Sequence, residues 1–82
     1  MDTITKSETL KLLSNIFEEP IANLSPYVLR EDIPGWNSMG ILSLMAELDE
    51  RFGIILNADE ARQLAKIEDV FQLLRRHGVF TE

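Results

Sequence analysis

Pro34-Gly35-Trp36-Asn37-Ser38-Met39, with the run Gly40 to Phe52 behind it, is the stretch whose reading decides the fold. Proline fixes φ at the second position of a turn, and glycine accepts the positive φ that a type II turn needs at the third. Pro34-Gly35 therefore predicts a type II turn. Asn37 and Ser38 follow it directly, and both are good helix N-cap residues. An uninterrupted helix-like run then continues to Gly53, so the spacing predicts a helix over 38–52. Such an arrangement presents a serine hydroxyl on the first turn of a helix. Helix N-termini favour negative groups, because their amides lack intrahelical partners and the dipole is positive there. Ser38 reads as a cap, as a point where a phosphate ester would be well placed, or as both.

The helix has more apolar surface than one core face requires. Ile41, Leu44, Met45, Leu48 and Phe52 form one stripe at helical spacing. Met39, Leu42 and Ala46, then Asp49 and Glu50, form a second stripe rotated from the first. Gly40, Ser43, Glu47 and Arg51 make a third, polar face, with Glu47 and Arg51 an i,i+4 pair. The second stripe is either extra core or a docking strip, apolar near the serine and acidic further along.

Gly35-Trp36-Asn37-Ser38-Met39, followed by Glu47-Leu48-Asp49-Glu50-Arg51-Phe52-Gly53-Ile54, resembles the acyl and peptidyl carrier protein family. The usual signature of that family is Asp-Ser-Leu, then a helix ending in an acidic run, Phe and Gly. The likeness extends to Asn57-Ala58-Asp59-Glu60 and to Lys66-Ile67-Glu68-Asp69-Val70, and covers the chain from about Leu10 to His77. Asn37 stands where Asp is usual, and Met39 where Leu is usual. The resemblance implies 4'-phosphopantetheine esterified to Ser38 by a phosphopantetheinyl transferase, with an acyl or aminoacyl group held on its thiol. It also implies partner contacts through Asn37, Met39, Leu42, Ala46, Asp49 and Glu50. Fatty-acid members usually show Gly-Ala-Asp-Ser-Leu, and peptidyl members Gly-Gly-His/Asp-Ser-Leu. The present stretch matches neither well, and is more similar to discrete carriers of specialised polyketide, modified-lipid or aminoacyl pathways.

Eighty-two residues allow one small domain over 1–82 with a single core. The chain has no cysteine and one histidine, which argues against disulfide frameworks and metal sites. No signal peptide or membrane-spanning run is visible, and the expectation is a cytoplasmic monomer. The net charge of −6 disfavours nucleic acid and anionic membrane as partners. Between Glu31 and Glu60, seven acids stand against Arg51 alone; elsewhere acids and bases number seven each. The negative field belongs to the segment that carries Ser38. It is either a solvated face or a device that steers basic partners.

Along the chain, 1–4 reads as a loose start. Thr5 or Ser7 can cap a first helix, with Leu10, Leu13 and Phe17 on one face, Ile16 at its edge, and Pro20 just beyond the end. Ile21 to Trp36 is a long connection whose Leu24, Val28 or Leu29, Ile33 and Trp36 should lie over the core. Trp36 either packs under the turn or meets a partner. Gly53 ends the second helix. Ile54-Ile55-Leu56 reads as a buried linker. Asn57 and Glu60 form a capping box for a short third helix. Ile67, Val70, Phe71 and Leu74 form the inner stripe of the fourth, which ends at Gly78 beside a solvated His77, and 79–82 reads as a tail. The expected fold is all-α: a four-helix bundle with helices near 5–18, 38–52, 58–64 and 67–77, and a long loop between the first two.

An enzyme is the weakest reading, because no Gly-rich phosphate loop, metal-ligand cluster or carboxylate pair in an apolar setting can be traced. The leading expectation is a carrier served by the transferase and by acyl- or aminoacyl-loading and transfer enzymes. The rival is a carrier-like helical interaction module that is never loaded, for which Asn37 in place of Asp is the motive.

Overall fold

The chain is mostly helical in its computed structural model, which describes residues 2–81. Among them, four α-helices run in the order α1 (Lys6–Phe17), α2 (Ser38–Phe52), α3 (Ala58–Arg62) and α4 (Ile67–Arg76). A two-residue strand, β1 (Ile4–Thr5), precedes α1, and another, β2 (Phe80–Thr81), follows α4.

Thr5 and Glu8 start α1 with a reciprocal capping box: the Glu8 amide donates to Thr5 Oγ1 at 3.0 Å, and the Thr5 amide to Glu8 Oε1 at 2.9 Å. The Thr5 backbone amide first, and the Thr5 side chain second, hold the Glu8 carboxyl below its usual range. Leu13 and Phe17 face the core as expected, but Thr9 and Leu12 take the other inner positions while Leu10 and Ile16 are only half-buried. The buried face is thus rotated from the expected one. Thr9 tolerates its place because its hydroxyl donates to the Thr5 carbonyl at 2.7 Å. The helix stops before Pro20, on Glu18, which adopts the left-handed conformation at φ 52°.

The second helix spans the expected residues and ends at Gly53, whose φ of 67° only glycine adopts easily. Leu44 and Leu48 are its buried stripe, with Ile41, Met45 and Phe52 half-buried beside them. Ile54 and Leu56 are buried in the linker, but Ile55 between them is exposed, because extended backbone alternates its side chains. Asn57 and Glu60 do form the capping box of α3. That helix is shorter than expected and ends at Arg62, leaving Leu64 buried beyond it. Ile67, Val70, Phe71, Leu73 and Leu74 line the inner face of α4, and Gly78 follows it with φ 71°.

Three expectations need correction. The fold is not purely α-helical: β1 and β2 pair in parallel, with Ile4 opposite Phe80 and Thr5 opposite Thr81. The start of the chain is not loose, since Ile4 is buried and its amide donates to the Val79 carbonyl at 2.8 Å. Nor are residues 79–81 a tail: Val79 is buried, and Phe80 stacks on Phe71 with centroids 5.3 Å apart. A pair of two-residue strands offers no periodicity to read. Met1 and Glu82, also counted in those segments, lie outside the described residues.

The long connection lies over the core, with Leu24, Ile33 and Trp36 buried and Val28 half-buried. It contains two short 3₁₀ turns, Ile21–Asn23 and Arg30–Asp32. Between these turns it is fastened to the joint between α3 and α4. The Ile67 and Glu68 amides, otherwise partnerless in the first turn of α4, donate to the Val28 and Pro26 carbonyls at 3.1 and 2.9 Å. The Arg30 amide donates to the Ala65 carbonyl at 2.8 Å. The loop that carries the Pro34-Gly35 turn is therefore anchored well upstream of it.

Candidate functional site

Ile33 to Trp36 form a turn closed by the Trp36 amide, which donates to the Ile33 carbonyl at 2.9 Å. Gly35 does not have a positive φ, so the expected type II turn is not formed. Glycine is required there for a different reason. A Cβ on Gly35 would overlap the carbonyl oxygen of Phe17 at the end of α1. Gly40, expected on a polar face, is buried for a related reason: its Cβ would overlap the Gly35 carbonyl oxygen and stand 3.0 Å from Phe17 Cδ1. Trp36 stacks on the same Phe17 ring, with centroids 4.9 Å apart and planes 13° from parallel. Of the two readings of Trp36, packing under the turn is the one observed, at 5% exposure. Its indole Nε1 is buried with no hydrogen-bond partner among the described residues.

Asn37 alone caps α2. Its Oδ1 accepts from the Gly40 amide at 3.0 Å, and its Nδ2 donates to the Pro34 carbonyl at 3.3 Å. The cap and the turn are thereby tied through one side chain. Its backbone carbonyl accepts from the Ile41 amide at 2.8 Å. Ser38 is the first helical residue and is not a cap, contrary to the expectation that it might share that work. Its side chain is exposed, and its hydroxyl makes no hydrogen bond among the described residues. With the Gly40 amide capped, the Ser38 and Met39 amides remain as first-turn donors without a helical acceptor.

The second stripe of α2 is surface. Met39 is 72% exposed and Leu42 59% exposed, and Ala46, Asp49 and Glu50 are exposed beyond them. The extra-core reading of this stripe is therefore wrong. Asp49 and Glu50 have no ion-pair partner among the described residues, whereas Glu47 is neutralised by Arg51 at 2.9 Å and Asp59 by Arg62. Asn37, Ser38, Met39, Leu42, Ala46, Asp49 and Glu50 thus share one end and one flank of the same helix. Two features were missed in the sequence: Phe17 as the floor of the turn, and close approach as the reason for both glycines. Neither leaves a local signal, because each depends on α1 lying against the turn.

Among the described residues, cavities lie away from this site. One, of about 380 Å³, lies among β1, α1 and the end of α2, with Lys11, Asn15, Arg51 and Phe52 in its wall. Another, of about 220 Å³, lies between α3 and α4 and is edged by Glu60, Asp69 and Arg76. Among the described residues, no three His, Asp or Glu side chains gather as a metal cage would require. No helix there is long and apolar enough to cross a membrane. No protein-family model and no curated protein matches the chain.

Proposed function

We propose that the chain is a carrier protein, with a four-helix bundle that presents Ser38 for attachment of 4'-phosphopantetheine. The observation that carries this reading is the exposed hydroxyl of Ser38 at the start of α2, released from capping by Asn37 and set beside an uncovered apolar and acidic flank. The residues present fit the group. An exposed primary hydroxyl can take the phosphopantetheinyl group of coenzyme A without moving the core, its oxygen forming the new P–O bond as the pyrophosphate bond breaks and adenosine 3',5'-bisphosphate leaves, and the Ser38 and Met39 amides favour a phosphodiester next to them. When bound, the arm supplies a thiol that holds acyl or aminoacyl cargo as a thioester. The chain contributes position, a phosphate-tolerant helix end, and a surface on which several enzymes dock briefly. It performs no chemistry of its own in this reading.

Intact mass after incubation with a broad-specificity phosphopantetheinyl transferase and coenzyme A tests the proposal. One phosphopantetheinyl addition is expected. An unchanged mass would favour the unloaded interaction module instead.

The flank makes a second measurable statement. Asp49 and Glu50 are exposed and unpaired, so their field reaches solution and decays over roughly 8 Å at physiological salt. Reversing both to Lys should slow loading by lowering the association rate, and added salt should shrink the difference. Loading of the unaltered chain that does not respond to ionic strength would remove steering by this face.

Asn37→Asp separates cap from charge. The carboxylate keeps the bond from the Gly40 amide and gains about 0.3–1 kcal/mol from the helix terminus. It loses the Nδ2 bond to Pro34, worth about 0.5–1.5 kcal/mol at most for so exposed a contact. The melting temperature should barely change. The added negative charge beside Ser38 should speed loading by a transferase with a basic docking surface. Equal or slower loading across several transferases would show that the acid is not what they read.

A further inference from the structure

We infer that Phe17 is a positioning residue for Ser38, acting through the two close-contact glycines that flank the serine. The inference rests on the reading of Ser38 as the attachment point. Among the described residues nothing but backbone holds the serine: its hydroxyl has no bond there, so its place is set by the chain from Gly35 to Gly40. That chain is seated on one residue of α1. The Phe17 carbonyl lies where a Gly35 side chain would be, and the Phe17 ring lies under Gly40 and flat against Trp36. Phe17 is 1% exposed and belongs to the core. The end of α1 is itself rigidly wound, with the Glu18 and Glu19 amides both donating to the Ser14 carbonyl, the latter at 3.1 Å. The packing of α1 is thus transmitted to the one surface hydroxyl the reaction needs, without Phe17 touching it.

The physical reason is economy of tolerance. A serine that an enzyme must bring into line for phosphoryl transfer cannot wander, because misplacement by about 1 Å can cost on the order of a hundredfold in rate. An exposed serine with no bonds of its own obtains that precision only from the backbone beneath it. Two glycines let the backbone approach the floor more closely than any other residue permits.

Gly40→Ala tests the seat. Alanine is the better helix former, so intrinsic propensity opposes unfolding, while its Cβ must lift the first turn of α2 off Phe17 and Gly35. Three readouts are taken on the full chain well below its melting temperature: amide exchange at Trp36, residue 40 and Ile41; emission of Trp36; and kcat and KM for loading by a broad-specificity transferase with coenzyme A. Exchange at these amides should rise about tenfold, and Trp36 emission should move to longer wavelength. The kcat for loading should fall about tenfold with KM within about twofold, since the docking flank is untouched. Phe17→Leu, which stays apolar and keeps part of the bulk but removes the flat ring, should shift the same readouts in the same direction and decides the matter if Gly40→Ala does not fold. Unchanged exchange and emission would overturn the seat. Altered exchange with unchanged kcat would overturn its role in positioning. An unaltered chain that gains no mass, while Gly40→Ala still changes exchange and emission, would defeat the carrier reading and leave the seat in place.

Discussion

Ser38→Ala should abolish loading completely and leave the fold untouched. In the carrier reading proposed above the hydroxyl would be the nucleophile, and no other residue of the site offers one in its place: Asn37 and Met39 have none, and Ser43 lies more than a turn along α2. Stability should not fall, because the cap is Asn37 and the Ser38 side chain makes no bond that alanine would lose. Alanine in the first helical turn is neutral or better by a few tenths of a kcal/mol, roughly within ±0.5 kcal/mol in total. The expected result is a chain with wild-type circular dichroism and melting temperature and no phosphopantetheinyl mass gain. A loss near 1 kcal/mol, the usual cost of deleting a cap, would show that Ser38 shares the capping with Asn37. Persistent mass gain would place the attachment elsewhere, with Ser43 the first position to map.

The parts of this fold that could be read from sequence are those whose cause is local. Asn57 and Glu60 stand three apart before a helical run, and the box forms. Gly53 and Gly78 follow periodic stretches, and both adopt the positive φ that ends a helix. The span of α2 was legible for the same reason, and Met39 and Leu42 stand where the helical period put them, off the buried stripe. What escaped was set by distant chain. Ile4 and Phe80 pair across nearly the whole sequence, and neither segment is long enough to alternate. A Pro-Gly dipeptide commonly signals a φ requirement at the glycine, but the actual constraint on Gly35, the Phe17 carbonyl, is eighteen residues upstream. Asn37 was legible as a cap, but not as a tie to Pro34, since that bond exists only once the turn has folded back.

Phe17→Ala should be among the most damaging single substitutions in the chain, and its damage should be of a specific kind. Removing a buried phenylalanine costs about 3–5 kcal/mol, a large share of the roughly 5–15 kcal/mol that holds a small domain together. At the sensitivity of a domain this size, the melting temperature should fall by on the order of 20 °C. Phe71→Ala supplies the comparison. It is equally buried, and its ring stacks on Phe80, beside the strand pair, rather than on Trp36. The two variants should therefore lose similar stability but differ in what remains folded at low temperature. In Phe17→Ala, the turn keeps the residue 17 carbonyl under Gly35 but loses the ring of its floor: Trp36 has no ring to stack on, and Gly40 faces a void where Phe17 Cδ1 and Cε1 stood. Its Trp36 emission should shift to longer wavelength while the rest of the chain keeps its helical dichroism. In Phe71→Ala, emission should stay at the wild-type wavelength until global melting. If Phe17→Ala lowers the melting temperature by less than about 5 °C, the void has closed by collapse of Trp36 into it, and the turn is softer than its two overlapping glycines imply. If both variants shift the emission alike, the turn has no floor of its own and reports only on the core as a whole.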